Sequence, residues 1–170
     1  VTIFSSDAST VPSDIGPDGT LIFDMGAPLK IYTLDLNGDP EEETVATELP
    51  IALNPPIFHG SQISPDGNWL AYVSVETGDP QIYVRPFPEI NGGKWQASTI
   101  SSTQPKWHPT SNELFFESRD GMHYSVGYEV EESTGGGKPA SIEFGTPLRL
   151  FSRMSMKNAT TIPSGAYSSL

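Results

Sequence analysis

Apolar and polar residues alternate with period two in many short stretches of the chain, and this pattern predicts β-strands. In residues 94–99 (KWQAST), Trp, Ala and Thr alternate with Lys, Gln and Ser. No window of useful length has apolar residues at helical spacing. Further strand-like runs lie at 20–24, 29–36, 44–49, 68–74, 81–87, 113–118, 122–130 and 142–151. The predicted fold class is therefore all-β.

One string occurs three times in progressively looser form. It reads GPDGTLIFDM at 16–25, SPDGNWLAYVS at 64–74 and HPTSNELFFES at 108–118. The prolines that open the copies lie 48 and then 44 residues apart: Pro17, Pro65 and Pro109. A unit of that length is one supersecondary module, too small to bury its own apolar face, so we expect the copies to stack on one another.

The second to fourth positions of the repeat have the chemistry of a hairpin turn. Proline presets φ, aspartate bonds to nearby backbone, and glycine adopts the left-handed conformation. We therefore interpret six residues as structural turn residues: Pro17, Asp18, Gly19, Pro65, Asp66 and Gly67. The third copy has Thr110, Ser111 and Asn112 after its proline. Asn112 tolerates a left-handed φ, which predicts that a turn survives there.

Composition narrows the classes of partner. The chain of 170 residues has 16 Gly and 16 Pro, which suits many short strands joined by tight turns. Its net charge of −12 argues against nucleic acid and anionic lipid as partners. No apolar run has the length of a membrane helix, so we expect no direct membrane insertion. Cysteine is absent, which excludes disulfides and thiolate chemistry.

Signatures of catalysis and cofactor binding are missing from the sequence. There is no Gly-x-Ser-x-Gly elbow of the serine hydrolases, and Pro139 follows the lysine of the 135–138 glycine run, where a phosphate loop needs Ser or Thr. The histidines, His59, His108 and His123, occupy different points of the repeat, which disfavours a shared metal site. We expect no catalytic residue, no metal and no cofactor in this chain.

Residues 64–88 (SPDGNWLAYVSVETGDPQIYVRPFP) resemble the TolB-like, WD-repeat-like β-propeller family. The resemblance is greatest to the propeller of bacterial transmembrane serine/threonine kinases, and it continues through 92–118 and 145–151. It implies four-stranded antiparallel blades whose innermost strand precedes each Pro-Asp-Gly turn. We expect residues 1–170 to form one partial propeller, with blade units at 11–49, 58–99 and 103–151 and stubs of neighbouring blades at 1–5 and 161–170.

The same resemblance implies a function. We expect a non-catalytic module that binds a protein, peptide or small ligand, within a larger bacterial signalling or envelope protein, on the periplasmic or extracellular side. The alternative is a propeller that gates substrate access to a prolyl-oligopeptidase-type hydrolase outside this chain, and a plainer option is a repeat that only mediates assembly. Open blade edges predict pairing with another copy.

Family geometry also points to candidate binding residues on the innermost strands, because sites commonly form on loops and strand ends that a rigid scaffold supports. The candidates are His59, Gln62, Gln104 and Lys106.

Overall fold

The computed structural model describes residues 4–39, 44–51, 60–131 and 141–152, which form three antiparallel β-sheets. The sheets follow one another along the chain, one for each copy of the repeat. A single turn of 3₁₀ helix, Ile90–Gly92, is the only helical element in these residues. The prediction of an all-β fold is confirmed.

The first two sheets are simple four-stranded meanders in which each strand pairs with the next. The first contains β1 (Thr10–Ile15), β2 (Thr20–Met25), β3 (Lys30–Asp35) and β4 (Thr47–Glu48). The second contains β5 (Gln62–Ile63), β6 (Trp69–Ser74), β7 (Gln81–Pro86) and β8 (Trp95–Gln96). In both sheets the last strand has only two residues, so the outer edge offers few free backbone groups.

The third sheet is larger and its outer side is divided. It contains β9 (Ser102–Trp107), β10 (Glu113–Ser118), β11 (Met122–Glu131), β12 (Ser141–Phe144) and β13 (Leu148–Ser152). The first half of β11 pairs with β13 and its second half with β12. The prediction of one continuous strand over 142–151 is wrong. Pro147, which has no backbone N–H, lies in the three-residue break between the two strands.

Sequence chemistry at the first two turns produces local hydrogen bonds. Asp18 Oδ1 accepts a bond from Thr20 N at 3.0 Å, and Asp66 Oδ1 accepts one from Asn68 N at 3.1 Å. The glycine after each aspartate is left-handed, with φ of 82° and 75°. A Cβ at Gly67 would lie 3.2 Å from Cγ of Pro17, so these two turns lie against each other.

The third turn is closed by a histidine side chain instead of an aspartate. Both Thr110 N and Ser111 N donate to His108 Nδ1, at 3.1 and 2.9 Å. The left-handed conformation expected at Asn112 is not observed. Among the described residues other than glycine, only Gln104 has a positive φ. An imidazole acceptor therefore replaces the aspartate, and the backbone of Asn112 contributes by accepting a bond from Tyr128 N.

The central strand β6 is buried on both sides, because sheets pack against both of its faces. Leu70 and Tyr72 join the cluster between the first and second sheets, while Trp69, Ala71 and Val73 join the cluster between the second and third. This position explains why residues 69–73 are continuously apolar rather than alternating. The first cluster also contains Ile22, Ile31, Leu49, Ile63 and Tyr83, and the second contains Val84, Trp107, Leu114, Phe116 and Val126.

Residues expected to form stubs of neighbouring blades fall largely outside the described part. Of 1–5, only Phe4 and Ser5 are described, and the ring of Phe4 packs 5.6 Å from that of Phe23. Residues 161–170 lie outside the described residues.

Candidate functional site

The strands that precede the three turns, β1, β5 and β9, are neighbours and place equivalent residues in one row. Asp14, Gln62 and Lys106 each stand three positions before the proline of their turn. The repeat therefore sets an acid, an amide and a cation side by side. We call these three residues and Ser13 the inner row.

Gln62 connects all three strands. Its side-chain Nε2 donates to the backbone oxygen of Ser13 at 3.1 Å, and its Oε1 accepts a bond from Lys106 Nζ at 2.8 Å. Its backbone oxygen accepts a bond from Trp107 Nε1 at 3.2 Å. Gln62 is only 8% exposed, so both ends of a buried amide are satisfied by neighbouring sheets. This residue therefore links the three strands of the inner row through hydrogen bonds.

Two carboxylates extend the network on the side of the first sheet. Asp14 Oδ2 accepts a bond from Ile63 N at 2.9 Å. Asp24, which is almost fully buried, accepts bonds from Ser13 Oγ at 3.0 Å and Gly60 N at 3.4 Å. Sequence reasoning did not select these acids. The available signal was the equivalence of Asp14 with Gln62 and Lys106 in the repeat.

The strand β9 presents two exposed polar side chains, Gln104 and Lys106. Its pairing with β10 shifts by one residue opposite Phe116, which forms a β-bulge, and Gln104 lies in this bulge with a φ of 56°. A left-handed glutamine directly before Pro105 is unfavourable on both counts. Backbone strain of this kind often accompanies functional positions.

Lys106 also differs in its partner from the other two lysines that the structure describes. Lys30 forms an ion pair with Glu48 at 2.8 Å, and Lys94 forms one with Glu76 at 2.6 Å. Lys106 instead hydrogen-bonds the neutral amide of Gln62, and no carboxylate of the described chain forms an ion pair with it. An exposed cation held in place but not neutralised is available to an anionic group of a ligand.

The structure brings two of the predicted candidates, Gln62 and Lys106, into direct contact and places Gln104 two residues away on the same strand. His59 lies outside the described residues. The six predicted turn residues lie in the two Pro-Asp-Gly turns. Within the described part of the chain, no group of three or more His, Asp or Glu side chains is arranged to hold a metal ion.

The shifted pKa of a further titratable group near the core, Tyr72, follows from its structural surroundings. Burial raises the pKa of Tyr72, whose hydroxyl accepts a hydrogen bond from Arg85 Nε at 3.0 Å.

Among the residues that the structure describes, no helix has the length and hydropathy needed to span a membrane.

Comparison with known structures identifies the architecture. The chain superposes on a protein assigned as TolB from Agrobacterium tumefaciens with a TM-score of 0.54 over 87% of its length, at 18% sequence identity. It superposes on TolB from Acinetobacter baumannii with a TM-score of 0.56 over 83% of its length, at 20% identity. The fold is part of a β-propeller. The three sheets are its blades, and β1, β5 and β9 are their inner strands.

The chain spans 53% of the first of these structures and 33% of the second. No protein-family model and no curated protein sequence matches it. The likeness at these identities concerns the fold.

Proposed function

We propose that this chain is a non-catalytic binding module whose inner strands recognise a segment of a partner protein. The observation that carries this proposal is the contrast between Gln62 on β5 and the two exposed polar residues of β9. Gln62 is buried and fully bonded, whereas Gln104 and Lys106 are exposed on a strained strand next to it. A rigid scaffold that presents adaptable polar groups is the usual construction of a recognition site.

The chemistry of this surface favours a partner with an acidic side chain or a terminal carboxylate. Lys106 supplies an ammonium group that no described carboxylate neutralises, and Gln104 supplies both a donor and an acceptor. The fold agrees with a role in a bacterial signalling or envelope protein on the periplasmic or extracellular side, which is the setting that we propose. Reading the full-length gene for a kinase domain with a membrane helix, or for a hydrolase domain, separates this role from substrate gating.

A photocrosslinking experiment tests the site. The amino acid p-benzoylphenylalanine is placed at position 104 of the full chain, which is then incubated with a bacterial envelope fraction. We expect one protein to be captured, to be displaced by excess unlabelled chain, and to be lost when Lys106→Ala is added. Lys30→Ala removes the same charge far along the chain in the first blade and is the matched control. Equal capture by the two lysine variants contradicts the proposal.

We also propose that the chain associates with a second copy through β13. This strand ends the third blade with five residues, whereas the outer strands of the other blades have two. Leu148, Leu150 and Phe151 are 64%, 45% and 40% exposed. A bulge at Leu150 partly blunts this edge, but three exposed apolar side chains on an outer strand favour pairing.

Light scattering over a range of concentrations tests this association. We expect a dimer that Leu148→Lys converts to a monomer, because a charge on an edge strand opposes pairing. The control, Val45→Lys, alters a residue that is 76% exposed in the first blade. A monomer at every concentration contradicts self-association and leaves the inner-strand proposal intact.

A further inference from the structure

Each blade has one cross-strand pair of apolar residues at equivalent positions beside its turn. The pairs are Ile15 and Leu21, Ile63 and Leu70, and Trp107 and Leu114. In the middle and third blades both residues belong to the cluster shared with the preceding blade, and none is more than 5% exposed. In the first blade Ile15 is 59% exposed. We call the side of each sheet that contains this pair its leading face.

An aromatic pair lies on the leading face of each sheet. Its members are Phe23 and Tyr32, Tyr72 and Tyr83, and Phe116 and Tyr124, with ring centroids 5.7, 6.2 and 5.8 Å apart. In the middle and third blades these rings pack in the cluster shared with the preceding blade. In the first blade a cavity of about 230 Å³ lies beside Phe23, and its other borders are Phe4, Thr10, Pro12 and Leu21. This leading face therefore has the residues of an interface between blades but is incompletely covered.

The opposite side of each sheet, its trailing face, contains an equivalent apolar residue in or directly after the outer strand. Each of these residues lies opposite the one that precedes the tyrosine of the aromatic pair: Leu49, Ala97 and Phe151. Leu49 and Ala97 pack in the cluster shared with the following blade and are 7% and 3% exposed. Phe151 is 40% exposed, and so is much of Leu148 on the same face. The third blade thus exposes apolar side chains at a position that the other blades bury.

The distribution of charge favours contact between unlike faces. Residues 1–50 contain one lysine and ten acidic residues, whereas residues 103–170 contain six basic and seven acidic residues. Two leading faces of first blades in contact would bring together two strongly anionic regions, and their repulsion opposes that arrangement. Contact between the leading face of the first blade and the trailing face of the third places an anionic region against a nearly neutral one.

We propose that the leading face of the first blade binds the trailing face of the third blade in a second copy of this chain. This inference rests on the self-association proposed above and assigns a second surface to it. Ile15 and Phe151 then occupy the buried positions that their equivalents have within one chain. Because each chain has three blades, two copies form this contact twice around a twofold axis and close a ring of six, within the range of known propellers.

Crosslinking between two different copies tests this arrangement, because the chain has no native cysteine. Pro17 lies against the turn of the following blade, so Pro109, its equivalent, is expected to meet the first blade of the second copy. Chains with Pro109→Cys and ¹⁵N-labelled chains with Ile15→Cys are mixed at a concentration at which light scattering detects association, and bismaleimidoethane is added. We expect covalent dimers that contain one chain of each kind, identified by mass spectrometry.

Two controls distinguish this contact from random collision and from pairing of two β13 strands. Val45 is 76% exposed in the first blade, and Val45→Cys in place of Ile15→Cys should give few mixed dimers. Leu148→Cys alone reports contact between two β13 strands. Equal yields from Ile15→Cys and Val45→Cys overturn the proposal. Crosslinked Leu148→Cys dimers without mixed dimers overturn it too, but they keep the self-association, whereas a monomer at every concentration removes both.

A matched pair of charge variants measures the contribution of Ile15. We expect Ile15→Lys to weaken self-association at least about tenfold in sedimentation equilibrium, because it places a charge in an apolar contact. Val45→Lys makes the same change of charge in the same blade and should alter the affinity less than about twofold. At concentrations at which the chain is monomeric, the Tm of Ile15→Lys should stay within about 2 °C of the parent value. A larger fall in Tm assigns Ile15 to the stability of its own blade and overturns the proposal, as does an equal effect of the two lysine variants.

Discussion

The middle and third blades contain copies of the same sequence repeat, but they differ in the structure of their turns, inner strands and outer strands. In the middle blade all six residues of β6 are buried, the turn is closed by aspartate and glycine, and the outer strand has two residues. In the third blade a histidine closes the turn, the inner strand is bulged at Gln104, and the outer side is divided between two strands.

The comparison shows which part of the molecule departs from the usual residue preferences of turns and strands. A blade between two others is constrained on both faces by packing, and its residues follow turn and strand preferences closely. The departures in the third blade are a left-handed glutamine, a like-charge pair (Glu129 opposite Glu143) and exposed apolar side chains on an edge strand, each of which conflicts with a local preference. Such conflicts are expected at functional positions. The candidate sites therefore concentrate in the third blade and on the surfaces that it shares with the second.

The largest expected effect tests the difference in packing. Trp69→Ala should lower the free energy of unfolding by about 3–5 kcal/mol, because Trp69 is 1% exposed between the two blades. Leu148→Ala on β13 should change it by no more than about 0.5 kcal/mol, when both variants are measured at a concentration at which the chain is monomeric. Urea denaturation measures both. If Trp69→Ala abolishes folding, Ile82→Val provides the measurable core variant, at about 0.5–1.5 kcal/mol. Equal losses in core and edge variants contradict the contrast in packing.

The next effect concerns the backbone conformation of the turns in the middle and third blades. Gly67→Ala should cost about 1–2 kcal/mol, because alanine is strained at a φ of 75° and its Cβ approaches Pro17. Asn112→Ala in the third blade should cost less than about 0.5 kcal/mol, since its backbone is not left-handed. Thermal unfolding of the two variants provides the comparison. A larger loss at Asn112 than at Gly67 rejects the turn assignments.

A smaller effect tests the histidine cap. His108→Ala should cost about 0.5–1.5 kcal/mol, because it removes the acceptor of two backbone N–H groups. Thr110→Ala alters the same turn but keeps both bonds, and it should have little effect. Hydrogen exchange at the amides of residues 110 and 111 should accelerate only in the histidine variant. Unchanged exchange there means that the imidazole does not hold the turn.

The smallest expected effect concerns an aspartate in the third blade, Asp120, which forms the kind of hydrogen bond that the turn of the middle blade contains. Ser118 and Asp120 repeat the bond between Ser64 and Asp66, since each serine hydroxyl donates to the following aspartate. The Ser118 hydroxyl lowers the pKa of Asp120 below its ordinary value of 3.8. A lowered pKa contributes stability above pH 3.8, and this stability is lost as the pH falls through the folded value.

Asp120→Asn should therefore flatten the loss of stability below about pH 4, by a small amount because the group is exposed. Acid titration of the Tm measures the slope, with Asp79→Asn as a control in the corresponding loop of the middle blade. An identical slope in Asp120→Asn and the parent chain contradicts this contribution.

Much of the architecture was predictable from the sequence because it depends on local chemistry. The Pro-Asp-Gly turns, the spacing of the three units and the buried run of β6 all follow from residue types in a repeated order. The division of the outer strand was not predicted, since one strand was expected over 142–151, although Pro147 marks a break in hydrogen bonding. What the repeat did not indicate was that β11 is long enough to pair with two strands.

The sequence by itself determined that this chain is an all-β repeat of stacked modules, because turn formation and strand alternation are properties of neighbouring residues. Only the tertiary structure decided which polar residues meet. Ser13, Gln62 and Lys106 are up to 93 positions apart in the chain, and Glu129 and Glu143 become partners only through the register of a hairpin. Contacts of this kind depend on how strands and blades align in space, and no local preference of a single segment specifies them.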